Sequence, residues 1–250
     1  MLSTHYHLLV SVETSQQLAD FMCRLNSKVA REIGKLVGWK EKFWGDRYHS
    51  VLVSDEEEAQ IAQLRYVLEQ GCKEDLVMSP LDWPGVHCAK PLVSDEPLVG
   101  WWFDRTREFT ARQRGETFEK YDYATQYIVE LSPLPAWEHL SKAEYRRRVS
   151  SLVSDIETET EARHKAEGTA PLGIRRVKRI RPTRRVRKPK KSPIPLVHAA
   201  SKIIRRLYYE AYRRFESAFR EAAELLKAGE FGVVFPDWSF PPGLPYVRGS

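Results

Sequence analysis

Apolar residues between Ser15 and Gly38 recur every three or four positions, which is the spacing of one face of an α-helix. Ser15 is suited to cap the start of this helix, and Gly38 is suited to end it. A second helix is predicted for residues 56–70, with a capping signal just before it and Gly71 as its stop. The apolar stripe of the first helix consists of Leu18, Phe21, Met22, Leu25, Val29 and Ile33.

Two β-rich segments lie in front of these helices. Residues 5–12 alternate weakly between polar and apolar positions, and residues 48–53 are rich in residues that favour strands. Both segments predict strands. Two strands and two helices in this order indicate an α+β fold, with helices on one face of a small antiparallel sheet.

The pattern changes after Ser79, where proline, tryptophan and short apolar pieces predict irregular packing with a strand at residues 121–131. Ser141 begins a capping box, and the helix after it is expected to last to about Glu167. Another long helix is predicted for residues 196–229. The proline-rich end is expected to wrap back on the helices.

These patterns divide the chain into three parts. Residues 1–90 form the α+β part, residues 91–135 an irregular and β connector, and residues 136–250 a mostly α-helical C-terminal region. The C-terminal region contains a basic segment at residues 175–191, where prolines exclude a continuous helix.

Charge is unevenly distributed along the chain. The chain has 250 residues, 42% of them hydrophobic, and a net charge of +6. The basic segment holds eleven cations and no acid, which leaves −5 for the rest (+6 minus 11). This distribution favours a polyanion partner over a membrane, since no apolar run approaches the length of a spanning helix. The cations are Arg175, Arg176, Lys178, Arg179, Arg181, Arg184, Arg185, Arg187, Lys188, Lys190 and Lys191.

A second set of candidate nucleic-acid contacts lies in the N-terminal part. Four cations form a basic stripe on the first predicted helix, and a further arginine follows in the loop before the second strand. The stripe is equally compatible with a solvated helix face. These residues are Arg24, Lys28, Arg31, Lys35 and Arg47.

Cysteine use indicates a reducing compartment. Cys23, Cys72 and Cys88 are an odd number without close spacing, which predicts free thiols in a cytoplasmic protein and no zinc knuckle. The first fifteen residues lack the basic start and apolar core of a signal peptide.

His5 and His7 are the candidate metal ligands. In an extended strand their side chains point to the same side, and two adjacent imidazoles make half of a divalent-metal site. Tyr66 and Gln70 share a face of the second helix, where the amide oxygen can complete a site for Mg²⁺ or Mn²⁺. A tyrosine can attack a phosphodiester when a metal polarises the phosphoryl oxygens. The alternatives remain open: a structural histidine pair, a half-buried core tyrosine and a solvated glutamine.

Five motifs in register resemble the single-tyrosine HUH transposases, where HUH denotes histidine, hydrophobic residue, histidine. The similarity is greatest to the REP-associated branch of bacterial transposase-like proteins and covers about residues 1–90. The motifs are His5-Tyr6-His7-Leu8-Leu9-Val10, Phe21-Met22-x-x-Leu25-Asn26, Phe43-Trp44-Gly45-Asp46-Arg47-Tyr48-His49-Ser50, Leu64-Arg65-Tyr66-Val67-Leu68-Glu69 and Pro80-x-Asp82-Trp83-Pro84.

The resemblance implies a ferredoxin-like domain that nicks and rejoins single-stranded or hairpin DNA. In that family two histidines hold a divalent metal, and a tyrosine forms a 5′-phosphotyrosine with the cut strand. A polar residue one helical turn later completes the metal site. By position, these roles fall on His5, His7, Tyr66 and Gln70. The glutamine is the looser match, because relatives often have Asn-Pro at this point.

The chain also departs from the family pattern. Relatives have a strand, a helix and another strand before their histidine pair, whereas His5 lies four residues from the start of this chain. We therefore expect a partial HUH domain, produced either by a start codon annotated too late or by decay of the gene. The alternatives to an active transposase are a nucleic-acid-binding module with a broken catalytic fold and a structural remnant without activity.

Overall fold

The computed structural model describes residues 5–180 and 194–243, which form a mixed α/β structure with small sheets and a helical C-terminal region. Its α-helices are α1 (Ser15–Val37), α2 (Glu57–Lys73), α3 (Ala89–Ser94), α4 (Arg105–Gln113), α5 (Lys142–Glu167), α6 (Ile174–Val177) and α7 (Lys202–Lys227). Its strands are β1 (Leu52–Val53), β2 (Leu98–Phe103), β3 (Ala124–Val129) and β4 (Val197–His198).

The chain divides into two compact units. The first unit combines residues 1–7 with residues 64–181, and the second combines residues 8–63 with residues 182–250. This division by contacts differs from the three ranges predicted from sequence, which remain a prediction about domains. Among the described residues, no helix combines the length and apolar character needed to cross a membrane.

Helix α1 confirms the first predicted helix. The Thr14 hydroxyl, rather than Ser15, caps its start by accepting a hydrogen bond from the Gln17 backbone N–H at 3.1 Å. The cap is therefore one residue earlier than predicted. Gly38 ends the helix in the left-handed conformation with φ of 65°, where a glycine has no steric cost.

The strand predicted at residues 5–12 is wrong. These residues form no strand ladder, and Leu8 and Val10 are exposed. The strand predicted at residues 48–53 is reduced to β1, which pairs in parallel with β4 of the same unit. A strand exists only where a neighbour satisfies its backbone groups, and the apolar pattern of a segment does not identify that neighbour. The antiparallel sheet predicted for residues 1–90 is absent from the described residues of that range.

Helix α2 confirms the second predicted helix but continues through Gly71. A Cβ on this glycine would lie 2.9 Å from Val77 Cγ2 and 3.0 Å from Trp83 Cε3. Gly71 is therefore explained by close packing against these two side chains, and its interpretation as a helix stop is wrong. The helix ends at Lys73, and Asp75 follows with a positive φ of 54°.

We expect Gly71→Ala to destabilise the protein by about 1–3 kcal/mol, because the added methyl group overpacks a closed site. Gly34→Ala is the matched control within a helix, since its nearest non-local neighbour would be Phe43 Cδ2 at an ordinary 3.8 Å. The control should be neutral or stabilising, as alanine favours helix over glycine. Urea unfolding midpoints of the two variants test this, and an unchanged midpoint for Gly71→Ala would contradict the packing argument.

Helix α5 confirms Ser141 as its N-cap, because the Ser141 hydroxyl accepts a hydrogen bond from the Glu144 backbone N–H at 3.2 Å. In the first unit its side chains bond to groups on α2 and just beyond it. Arg65 pairs with Glu159, and Arg163 donates to the Cys72 carbonyl at 2.8 Å. The helix ends as expected at Glu167.

The connector contains more regular structure than its sequence predicted. Residues 124–129 form β3, inside the predicted strand, and pair antiparallel with β2. Strand β2 and helix α4 were not predicted, and the region after Ser79 also contains α3. All three cysteines are free thiols, as predicted, and burial raises the pKa values of Cys72 and Cys88 to about 11.

Helix α7 begins at Lys202, six residues after the predicted start. The intervening residues include β4, and the Glu56 carboxylate accepts hydrogen bonds from the backbone N–H groups of Ala200 and Ser201, each at 2.9 Å. The proline-rich end packs on α7, with the rings of Phe219 and Phe235 5.3 Å apart. The predicted return of this segment to the helix is confirmed for its described residues.

Candidate functional site

The two histidines lie side by side at the start of the chain. The ring centroids of His5 and His7 are 5.1 Å apart, with an interplanar angle of 83°. His5 is exposed and His7 is half-buried. Their proximity therefore arises without the strand ladder that the sequence predicted.

Tyr66 joins this pair from α2. Its ring centroid lies 5.1 Å from that of His7, in an edge-to-face arrangement with an interplanar angle of 82°. The tyrosine is half-buried, and all three side chains belong to the first unit. The structure thus brings together Tyr66, the predicted nucleophile, and the two histidines predicted as metal ligands.

Gln70 lies one turn after Tyr66 and is buried, with 7% of its surface exposed. Its side-chain Nε2 donates a hydrogen bond to the Tyr66 carbonyl at 2.9 Å. This bond uses the donor end of the amide, so the oxygen is the end suited to a metal. Residues 5–180 and 194–243 contain no cluster of three histidine, cysteine, aspartate or glutamate side chains that could hold a metal. A metal at the histidine pair would need a ligand of another type.

Both histidines favour the neutral state. Loss of contact with water lowers the pKa of His5 below 6.5, against a smaller opposing effect of the Glu74 carboxylate. Loss of contact with water also lowers the pKa of His7, and the charges of His5 and Lys73 lower it further. At neutral pH the imidazoles are uncharged and keep the lone pair that metal binding requires.

Two side chains at the end of α2 join the site but were missed by the sequence argument. The ammonium nitrogen of Lys73 lies 5.0 Å from the ring centroid of Tyr66, within the range of a cation–π contact. The Glu74 carboxylate acts electrostatically on His5. Lys73 follows Tyr66 by two helical turns, a spacing that places both on one face. The sequence did not indicate this pair, because a helix that stops at Gly71 would not include Lys73.

The basic stripe of α1 lies in the second unit. Arg24, Lys28, Arg31 and Lys35 are all exposed, and Arg31 lies 3.6 Å from the Glu32 carboxylate. Arg47 is also exposed, with its guanidinium 5.8 Å from the ring centroid of Tyr48. Exposure is compatible with DNA contact and with a solvated face, so the role of these cations remains a prediction.

Only the first part of the basic segment is described. Four of its cations lie on or just after α6 and are exposed: Arg175, Arg176, Lys178 and Arg179. The other seven lie outside the described residues: Arg181, Arg184, Arg185, Arg187, Lys188, Lys190 and Lys191.

Residues 2–70 match the family model of IS200-like transposases. This match supports a transposase family of the HUH type for the N-terminal region. The matched range includes His5, His7 and Tyr66 and ends at Gln70, so the transposase sequence contains the whole predicted catalytic set. Searches of curated proteins and of solved structures gave no match.

Proposed function

We propose that the chain nicks and rejoins single-stranded or hairpin DNA through a 5′-phosphotyrosine on Tyr66. The proposal depends chiefly on one observation, the contact of the Tyr66 ring with His7, whose ring in turn lies beside that of His5. The transposase match of residues 2–70 supports DNA as the substrate. A partial ferredoxin-like domain, without the antiparallel sheet in the described residues of 1–90, and a cytoplasmic location belong to the same proposal.

Tyr66 acts as the nucleophile in this proposal. Its hydroxyl oxygen forms a bond to phosphorus and loses its proton, while the bond from phosphorus to the 3′ oxygen breaks. The leaving 3′ oxygen takes up a proton and becomes a hydroxyl group. Rejoining is the reverse reaction, in which a 3′-hydroxyl attacks the phosphotyrosine, so no external energy source is needed.

A divalent metal fits the residues present. His5 and His7 would supply two neutral imidazole nitrogens and Gln70 an amide oxygen, a mixed donor set that leaves positions for further oxygen ligands. When bound, Mg²⁺ or Mn²⁺ would draw charge from the phosphoryl oxygens of the DNA. Families of the HUH type generally use a divalent metal. The hydrogen bond from Gln70 to the Tyr66 carbonyl would keep the amide oriented.

A catalytically inactive nucleic-acid-binding remnant is the second candidate function. It is favoured by the absence of a strand ladder at residues 5–12, where Leu8, Leu9 and Val10 are exposed. Metal ligands need rigid support, and an unpaired segment provides less of it than a sheet.

Covalent capture distinguishes the two functions. A hairpin DNA labelled on the strand that carries the 5′-phosphate after the cut is incubated with the full chain and Mn²⁺, then denatured and resolved by size. The active transposase gives a labelled protein band that survives denaturation. Binding without any covalent band, over a range of hairpin sequences, would favour the inactive remnant.

Deleting residues 175–191 should weaken DNA binding and reduce its salt dependence. For each phosphate contacted on a single strand, the logarithm of the affinity falls by roughly 0.7 per log unit of salt, because the bound protein cations displace counterions. The loss should be similar for all sequences, since lysine and arginine on phosphates do not identify bases. Binding across a salt series measures the slope for the full chain and the deletion.

A variant with the eleven cations replaced by glutamine controls for chain length. It should reproduce the flatter slope of the deletion, whereas neutralising the α1 stripe should change the slope less. An unchanged slope in the deletion would show that the segment is a solvated tether. The basic stripe of α1 would then be the better candidate for the phosphate contacts; it consists of Arg24, Lys28, Arg31 and Lys35.

A further inference from the structure

Strands β2 and β3 form a two-stranded antiparallel ribbon with an exposed apolar face. Trp101 and Phe103 point to the same face because they are two residues apart on one strand. Gln126 pairs with Trp101 and therefore shares this face. A ribbon of two strands has little interior in which to bury such side chains.

Three aromatic rings form a continuous row on this face. The ring of Tyr121, from the segment before β3, lies 4.8 Å from Trp101 and 5.8 Å from Phe103 by centroid distance. Trp101 and Tyr121 each have 47% of their surface exposed. Rings in mutual contact that remain half open to water present flat apolar surface to a ligand. We define Trp101, Tyr121 and Phe103 as the aromatic row.

Two cations lie against the aromatic row, one at its middle ring and one at its Phe103 end. The Lys120 ammonium lies 5.0 Å from the Tyr121 ring centroid, and the Arg105 guanidinium lies 4.8 Å from that of Phe103. Arg105 also bonds to Glu108 at 2.8 Å. Among the described residues, Lys120 has no carboxylate within ion-pair distance, so its charge is open to an anionic ligand.

We propose that the aromatic row binds unpaired bases of single-stranded DNA. Bases stack on aromatic rings regardless of sequence, and nearby cations hold the phosphates between them. The Gln126 amide beside Trp101 can donate to and accept from base edges. A purely apolar partner would leave Lys120 desolvated without an anion, whereas Arg105 already has the Glu108 carboxylate. The row lies outside residues 2–70, so the transposase match does not assign it.

The choice of DNA over RNA as the ligand rests on the proposed function. The stacking of bases on the aromatic row does not depend on that function. Binding is therefore measured with the full chain carrying Tyr66→Phe, in excess chelator, so that neither metal nor nicking affects the result. The probe is a fluorescent oligothymidylate of roughly 15 nucleotides, about the size of one single-strand site. Trp101→Ala and Tyr121→Ala should each weaken binding roughly 5- to 100-fold, the loss of about one base stack.

Tyr127→Ala is the matched control. Tyr127 has 57% of its surface exposed and pairs with Gly100, so it lies on the opposite face of the same ribbon. This variant should bind like the parent chain. Equal weakening by Tyr127→Ala and Tyr121→Ala, or none by either row variant, would overturn the proposal. So would tighter binding of oligouridylate RNA than of the DNA probe.

Photocrosslinking provides a test that does not depend on how the variants fold. A strand containing 5-iododeoxyuridine should crosslink to Trp101 or Tyr121 of the otherwise unaltered ribbon, and peptide mapping locates the bond. Crosslinks only at other aromatic residues would overturn the proposal. Failure of the proposed function gives a different result, the absence of a covalent band at Tyr66 with base stacking intact.

Discussion

Tyr66→Phe should abolish the covalent protein–DNA product and leave hairpin binding nearly unchanged. The substitution removes the hydroxyl oxygen that bonds to phosphorus but keeps the ring that contacts His7 at 5.1 Å. The cation–π contact with Lys73 also depends on the ring and is retained. Covalent capture measures the product, and fluorescence anisotropy with the same hairpin measures binding.

Tyr127→Phe is the control for this prediction, because it removes a hydroxyl group from an exposed tyrosine of the same unit. It should give the wild-type amount of covalent product. Wild-type product in Tyr66→Phe would exclude Tyr66 as the nucleophile. Equal loss of binding and product would indicate that the tyrosine hydroxyl supports the fold.

Local signals predicted the four long helices, with several of their ends. The Ser141 N-cap and the Gly38 stop each involve residues close in sequence, and both are present in the structure. Cap preferences are local because the side chain bonds to a backbone group within three residues. The predicted N-cap of α1, Ser15, is one residue later than the observed cap, Thr14. Both residue types are good caps, so the sequence alone does not separate them.

Long-range packing explains the errors. Strand β1 pairs with β4, about 145 residues later by the register of Leu52 with Val197, and no local pattern identifies such a partner. Gly71 is determined by the positions of Val77 and Trp83, which depend on tertiary structure. The predicted stop at Gly71 was wrong because glycine occurs both at helix ends and where another side chain packs closely against the backbone.

The residues of the candidate site could be predicted from the sequence, but the elements that hold them in place could not. Residue spacing and the family resemblance both pointed to His5, His7 and Tyr66, and the His7 ring contacts the other two. The sequence predicted a strand at residues 5–12 whose ladder would hold the histidines. In the structure the better supported partner is Tyr66, because α2 is held by bonds to α5.

The C-terminal region contributes to the environment of Tyr66, the predicted nucleophile. Arg65 directly precedes Tyr66 and pairs with Glu159, and Arg163 bonds to the Cys72 carbonyl six residues after the tyrosine. Both partners lie on α5, far beyond the end of the transposase match. The end of sequence similarity at Gln70 is therefore not a structural boundary, because side chains of α5 bond to the helix that carries Tyr66.

His5→Ala combined with His7→Ala should reduce Mn²⁺-dependent nicking roughly 100-fold or more, because stabilising charge on phosphoryl oxygens supplies several kcal/mol. Excess chelator should have the same effect on the wild-type chain. His139→Ala, an exposed histidine of the same unit, should leave nicking unchanged. Nicking that persists in chelator would show that the histidine pair is structural.

The pH dependence gives an independent test of the histidine pair. Partial burial lowers the pKa values of His5 and His7 below 6.5, so both imidazoles stay neutral at pH 7 and remain able to bind metal. Nicking should thus be level from pH 8 to about 6.5 and fall at lower pH, where protons compete with the metal for the ring nitrogens. The opposite sign, with nicking that increases as the pH falls below 6.5, would mean that a protonated histidine acts on the DNA. Measuring single-turnover nicking at several Mn²⁺ concentrations separates the two mechanisms, because only competition between protons and metal is relieved by more metal.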